Sequence, residues 1–104
     1  MVRKAFLMKL KPGMQEEYER RHNPVWPEMA QLLKAHGVGN YSIYLDRQTD
    51  NLFAYVELES EQLWEEIART EVCRRWWEHM EELMLTNDDA SPVSIPLTEV
   101  FHLD

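Results

Sequence analysis

Cysteine is nearly missing from this chain. Cys73 stands alone among 104 residues, so no internal disulfide can form, and no C-x-x-C spacing offers paired thiolates to zinc. A reducing, cytoplasmic setting is expected. Clustered positive charge is missing as well: 11 Lys and Arg stand against 19 Asp and Glu, the net charge is −8 and the pI is near 4.9. The cations gather only as Arg3-Lys4, Arg20-Arg21 and Arg74-Arg75. Phosphate backbones and anionic lipids are met by basic patches, so neither nucleic acid nor a membrane surface is an expected partner. No stretch approaches the length of a membrane span, and the apolar run Ala5-Phe6-Leu7-Met8 is too short for a signal-peptide core. There is no G-x-G-x-x-G, no phosphate loop, no H-E-x-x-H and no serine nucleophile elbow, which disfavours cofactor-dependent chemistry. Neither a cofactor nor a metal is expected. The run Glu78-His79-Met80-Glu81-Glu82 lies on one element, whereas a hard-metal cage needs oxygens from several, so it reads as a solvated helix face that includes His79.

What the chain does carry is concentrated in Tyr18-Glu19-Arg20-Arg21-His22-Asn23-Pro24-Val25-Trp26-Pro27. Tyr18 and His22 are four residues apart and share one helical face. Asn23 precedes a proline, which disfavours the α region, so the helix should halt there and restart with Asn23 as cap and Pro24 as its first residue. An imidazole with a phenol beside it at a rigid corner suits half of an acid/base site, and it suits an ordinary partly buried histidine equally well.

The remaining pattern gives one domain over residues 1–104. Val2 to Leu10 reads as a strand ending at the Pro12-Gly13 turn, and Met14 to Ala35 as a helix broken by the proline corner and closed by Gly37. Asn40 to Leu45 and Leu52 to Glu59 form a hairpin around a polar turn. Glu61 to Arg69, capped by Ser60, and Glu71 to Met84, re-capped by Thr70, read as two helices. A polar loop from Thr86 to Pro96 leads to a last strand, Leu97 to Leu103. The order βαββαβ is the ferredoxin-like α+β arrangement, with helices on one face of a four-stranded antiparallel sheet. Both sides of the hairpin carry apolar residues, so a second copy is expected to cover the open face in a homodimer. The tryptophans and tyrosines, among them Tyr18, Tyr41, Trp64, Trp76 and Trp77, could stack on a sugar ring while phenols bond its hydroxyls. Adjacent residues such as Trp76 and Trp77 diverge by about 100° around a helix, so both line one cavity only if its surface is broad.

Through Arg20-Arg21-His22-Asn23-Pro24-Val25-Trp26-Pro27-Glu28, Asn40-Tyr41-Ser42-Ile43-Tyr44-Leu45-Asp46 and Cys73-Arg74-Arg75-Trp76-Trp77, the chain resembles the L-rhamnose mutarotase family. The likeness extends to Arg3-Lys4-Ala5-Phe6, Val56-Glu57-Leu58-Glu59-Ser60 and Ser91-Pro92-Val93-Ser94. It implies a dimeric α/β-barrel type of the ferredoxin-like fold that interconverts the α and β anomers of L-rhamnose without a cofactor. It further implies His22 as the catalytic proton donor and Tyr18, Tyr41, Trp76 and Trp77 as sugar contacts. The rival reading on the same dimeric fold is a cofactor-free oxygenase or haem-binding module, with His22 as an axial ligand.

Overall fold

Side-chain alternation in the first strand sets the layering. β1 (Val2–Lys9) directs Lys4, Phe6 and Met8 to one side and Arg3, Ala5 and Leu7 to the other. The computed structural model describes residues 1–104 and continues with α1 (Gln15–Arg21), α2 (Pro27–Ala35), β2 (Val38–Asp46), β3 (Asn51–Leu58), α3 (Glu61–Ile67), α4 (Glu71–Met80) and β4 (Ile95–Leu97). With each interrupted helix counted once, the order is βαββαβ, as the sequence leads one to expect. The strands lie β2-β3-β1-β4, and every neighbouring pair is antiparallel.

Register determines what faces the helices. Phe6 opposes Ala54, Met8 opposes Leu52, and Ile43 and Leu45 continue the same layer from β2. Leu52, Val56, Leu58, Leu83 and Leu10 are almost wholly enclosed there, with Met29, Ile67, Cys73, Trp76 and Met80 packed over them. On the opposite face Tyr44, Phe53, Leu7 and Ile95 form a row across all four strands. No helix covers that row, and Tyr44 remains 68% exposed.

Local chemistry explains the element ends. The Ser60 hydroxyl accepts the Leu63 N–H at 3.0 Å and the Thr70 hydroxyl accepts that of Cys73 at 3.3 Å, so both expected caps are present. Gly37 turns α2 into β2 with φ +74°, and a Cβ there would fall 2.3 Å from a carboxylate oxygen of Glu59. A bulge between Gly39 and Ser42, with Asn40 at φ +45°, contains Tyr41 and leaves that ring packed on the helix-covered side.

Two expectations need correction. Asn23 does not cap the second helix, which begins at Pro27 behind Trp26. Its side-chain amide instead donates to the Glu19 carbonyl at 2.8 Å, so the residue closes α1. The last strand is also shorter and earlier than expected. Only Ile95–Leu97 pairs, with Leu7, Phe6 and Ala5, while residues 98–104 lie outside the sheet and leave Val100, Phe101 and Leu103 exposed.

Candidate active site

The space between the sheet and the helices is not filled. A cavity of about 240 Å³ opens there, and Tyr18, His22, Tyr41, Trp76 and Trp77 all line it. A second, wider hollow of about 610 Å³ shares Tyr18, His22, Tyr41 and Trp76 as its wall and adds Gln15, Glu19, Asn23 and Arg47 at the rim. His22 borders both hollows.

Each side chain is placed by its element. Tyr18 lies one turn before the end of α1 and is buried; His22 is the C-cap of that helix. Its Nδ1 stands 3.0 Å from the Tyr18 carbonyl oxygen. A carbonyl only accepts, so Nδ1 carries the hydrogen and Nε2 is left with its lone pair in the neutral ring. Aromatic contacts hold the imidazole: its ring centroid lies 4.5 Å from Tyr18 and 5.2 Å from Trp76, the latter edge to face. Burial lowers the His22 pKa, and the hydrogen bond to the Tyr18 carbonyl offsets this only in part. A helix C-terminus favours a cation, but at His22 the loss of water around the ring dominates and the pKa falls.

Tyr41 rises from the bulge in β2 and packs against Trp64, ring centroids 5.9 Å apart. Burial raises the pKa of both Tyr18 and Tyr41, so both remain neutral phenols. Neither hydroxyl donates to a protein group, yet no buried polar side-chain atom lacks a partner. Both hydroxyls therefore open onto the cavity. Trp76 is buried and Trp77 half-buried on α4. The two adjacent indoles line the same cavity despite diverging around the helix. Cys73 also lines it, with its thiol pushed up to about 11 by burial, which makes it a poor nucleophile.

Some lining residues escaped the sequence reading. Lys4 reaches the cavity from β1, its ammonium 3.3 Å from Glu61; the alternation through Phe6 and Met8 pointed to that side. Ser91 and Ser94 line the cavity from the loop after α4, which no spacing rule could place. His79 is not on a solvated face. It is half-buried, 5.1 Å from Trp26 and 5.7 Å from Trp76 between ring centroids. Trp26 in turn meets Trp76 at 5.1 Å and 81°.

Fold and site together define a small ferredoxin-like α+β protein whose cleft is walled by aromatic rings around one half-buried, singly protonated imidazole. Comparison with known proteins narrows that class. The family model for L-rhamnose mutarotase matches residues 3–103. An L-rhamnose mutarotase of Opitutus terrae is 61% identical over 104 residues, the whole of both chains. The crystal structure of an L-rhamnose mutarotase from Formosa agariphila superposes with a TM-score of 0.92 at 43% identity, again over all of both chains. This chain belongs to the L-rhamnose mutarotase family. An antibiotic biosynthesis monooxygenase also superposes, with a TM-score of 0.64 over 96% of this chain and 99% of its own. At 11% identity that likeness is one of fold alone.

Proposed function

We propose that the protein interconverts the α and β anomers of L-rhamnose, with His22 as the group that carries the proton. The observation that supports this most directly is the hydrogen bond from His22 Nδ1 to the Tyr18 carbonyl, which leaves Nε2 a base inside a sugar-sized cavity. Mutarotation needs proton transfers and rotation about one bond, with no redox change and no covalent adduct.

On opening, Nε2 takes the proton of the anomeric hydroxyl. The bond from C1 to the ring oxygen breaks as that oxygen takes up a proton by way of water at the open mouth. The C1–C2 bond of the aldehyde rotates. On closing, the ring-forming hydroxyl adds to the other carbonyl face and loses its proton to water, while the imidazolium Nε2–H returns its proton to the oxygen on C1. His22 is thus base in one half and proton donor in the other. A placed group of this kind contributes roughly 10²–10⁴-fold in rate. Tyr18 and Tyr41, held as phenols, hydrogen-bond sugar hydroxyls, and the indoles of Trp76 and Trp77 stack on the apolar face of the ring and its methyl group.

The working unit is a homodimer. Phe53, Ile95 and Leu97, at 40%, 53% and 41% exposure, extend the uncovered apolar row around Tyr44, and a second copy placed face to face would remove it from water. No helix is long and apolar enough to cross a membrane, and the lone buried Cys73 fits a reducing cytoplasm.

Saturation-transfer NMR across a small panel of aldoses tests the assignment. Anomer exchange should be accelerated most for L-rhamnose. No acceleration for any aldose, together with a Soret shift on adding haemin, would replace this reading with the haem-binding alternative.

A further inference from the structure

Arg21 is the last residue of α1 and the immediate neighbour of His22, yet its side chain points away from the sugar cavity and is only 13% exposed. Its Nε donates to Glu17 at 2.7 Å, one turn back on the same helix. Nη1 donates to the His79 carbonyl at 2.5 Å, and Nη2 to Glu82 at 2.5 Å. These three bonds join α1 to the end of α4 and to Glu82 in the turn just beyond it. The His79 carbonyl lies in the last turn of α4, where carbonyls have no intrahelical partner and a cation is favoured. The guanidinium meets a carboxylate, a carbonyl and a second carboxylate from three different nitrogens held in one plane, whereas an ammonium carries all its donors on a single nitrogen. Arg20 provides the contrast: 71% exposed, it pairs with Glu17 and reaches nothing outside its helix.

His22 follows Arg21 in the chain, and Trp76 precedes His79 by one turn on α4. The two rings that meet edge to face at 5.2 Å are therefore carried by the two helix ends that Arg21 joins. The His79 ring, whose own carbonyl Arg21 holds, supports Trp26 and Trp76 from the far side.

We infer that Arg21 is a positioning residue: by tying the end of α1 to the end of α4 it holds His22 at its working distance from Trp76. The inference rests on the proposal that His22 carries the proton. No other charged side chain bonds α1 to α4, so loss of the guanidinium should leave the fold intact and let the two walls drift apart. Misplacement of a reacting group by about 1 Å is enough to cost a hundredfold in rate.

The test compares Arg21→Met, Arg21→Lys and, as control, Arg20→Met. Anomer exchange of L-rhamnose gives kcat and KM, and the ring-proton resonances of His22, displaced by the ring currents of Tyr18 and Trp76, give the geometry without reference to activity. Arg21→Met should lower kcat about tenfold or more while KM changes less than about threefold, with the His22 resonances moved toward their exposed positions. Arg21→Lys should fail to restore either, and Arg20→Met should change neither. Wild-type kcat with unmoved His22 resonances in Arg21→Met, or full rescue by Lys, overturns the inference. If Arg21→Met does not fold, Glu17→Ala/Glu82→Ala leaves the guanidinium on the His79 carbonyl alone; it should show the same direction of change, and wild-type behaviour there overturns the inference equally. The two proposals fail separately: a fully active His22→Ala removes the catalytic role of His22, whereas unmoved His22 resonances remove the role of Arg21.

Discussion

His22 returns its Nδ1 hydrogen to the backbone oxygen of Tyr18, 3.0 Å away, in the same turn that brings the two rings to a 4.5 Å centroid separation. That hydrogen bond fixes the tautomer and leaves the Nε2 lone pair free on a ring that lines the cavity beside Tyr18.

The acid limb of kcat/KM should fall below pH 6.5, because burial lowers the His22 pKa from the ordinary value of about 6.5 and the base works only when unprotonated. Stability should move the same way. In the unfolded chain His22 regains its ordinary pKa, so between the lowered value and about 6.5 the unfolded state binds more protons, and stability is lost as pH falls through that window. A pH–rate profile with melting curves of wild type and His22→Gln checks both. An acid limb above pH 6.5, or a variant whose melting temperature declines as steeply as wild type, would count against the buried neutral ring.

Tyr18→Phe and Tyr41→Phe each remove a hydroxyl that has no protein partner and leave the ring packing in place. Each should raise KM by roughly two- to twelvefold, the worth of one hydrogen bond of about 0.5–1.5 kcal/mol. Melting temperatures should stay close to wild type. Unchanged KM in both variants would mean that the sugar does not reach these phenols.

The uncovered row around Tyr44 and Phe53 predicts the assembly. Light scattering after size exclusion at micromolar concentration should report twice the 12.5 kDa chain mass. Phe53→Glu places a charge in the centre of that row and should shift the protein toward monomer. A wild-type protein that is monomeric throughout would leave this face without its proposed partner.

Much of this was legible in the residues. Ser60, Thr70 and Gly37 are local signals, and local geometry alone makes them end or begin helices, so their roles could be read directly. Alternation in β1 and β3 gave the buried face for the same reason. Asn23 was misread because its amide had two helix ends within reach, and the preceding one, through the Glu19 carbonyl, took it. The C-terminal strand was misplaced because β4 is defined by its pairing with β1, which no propensity of residues 95–103 reveals. His79 was misjudged for a related reason. Its acidic neighbours suggested water, but Trp26 arrives from a distant part of the chain to cover it. The resemblance, not spacing, brought Tyr41 and Trp77 to the site; the fold shows them on the same cavity as His22.

The account depends most on the imidazole, and saturation-transfer NMR of L-rhamnose with His22→Ala addresses it most directly. With the fold verified by circular dichroism, the rate of anomer exchange per molecule of enzyme should fall by about 10²-fold or more. Exchange that persists within a few-fold of wild type would contradict the assignment of His22 as the proton carrier.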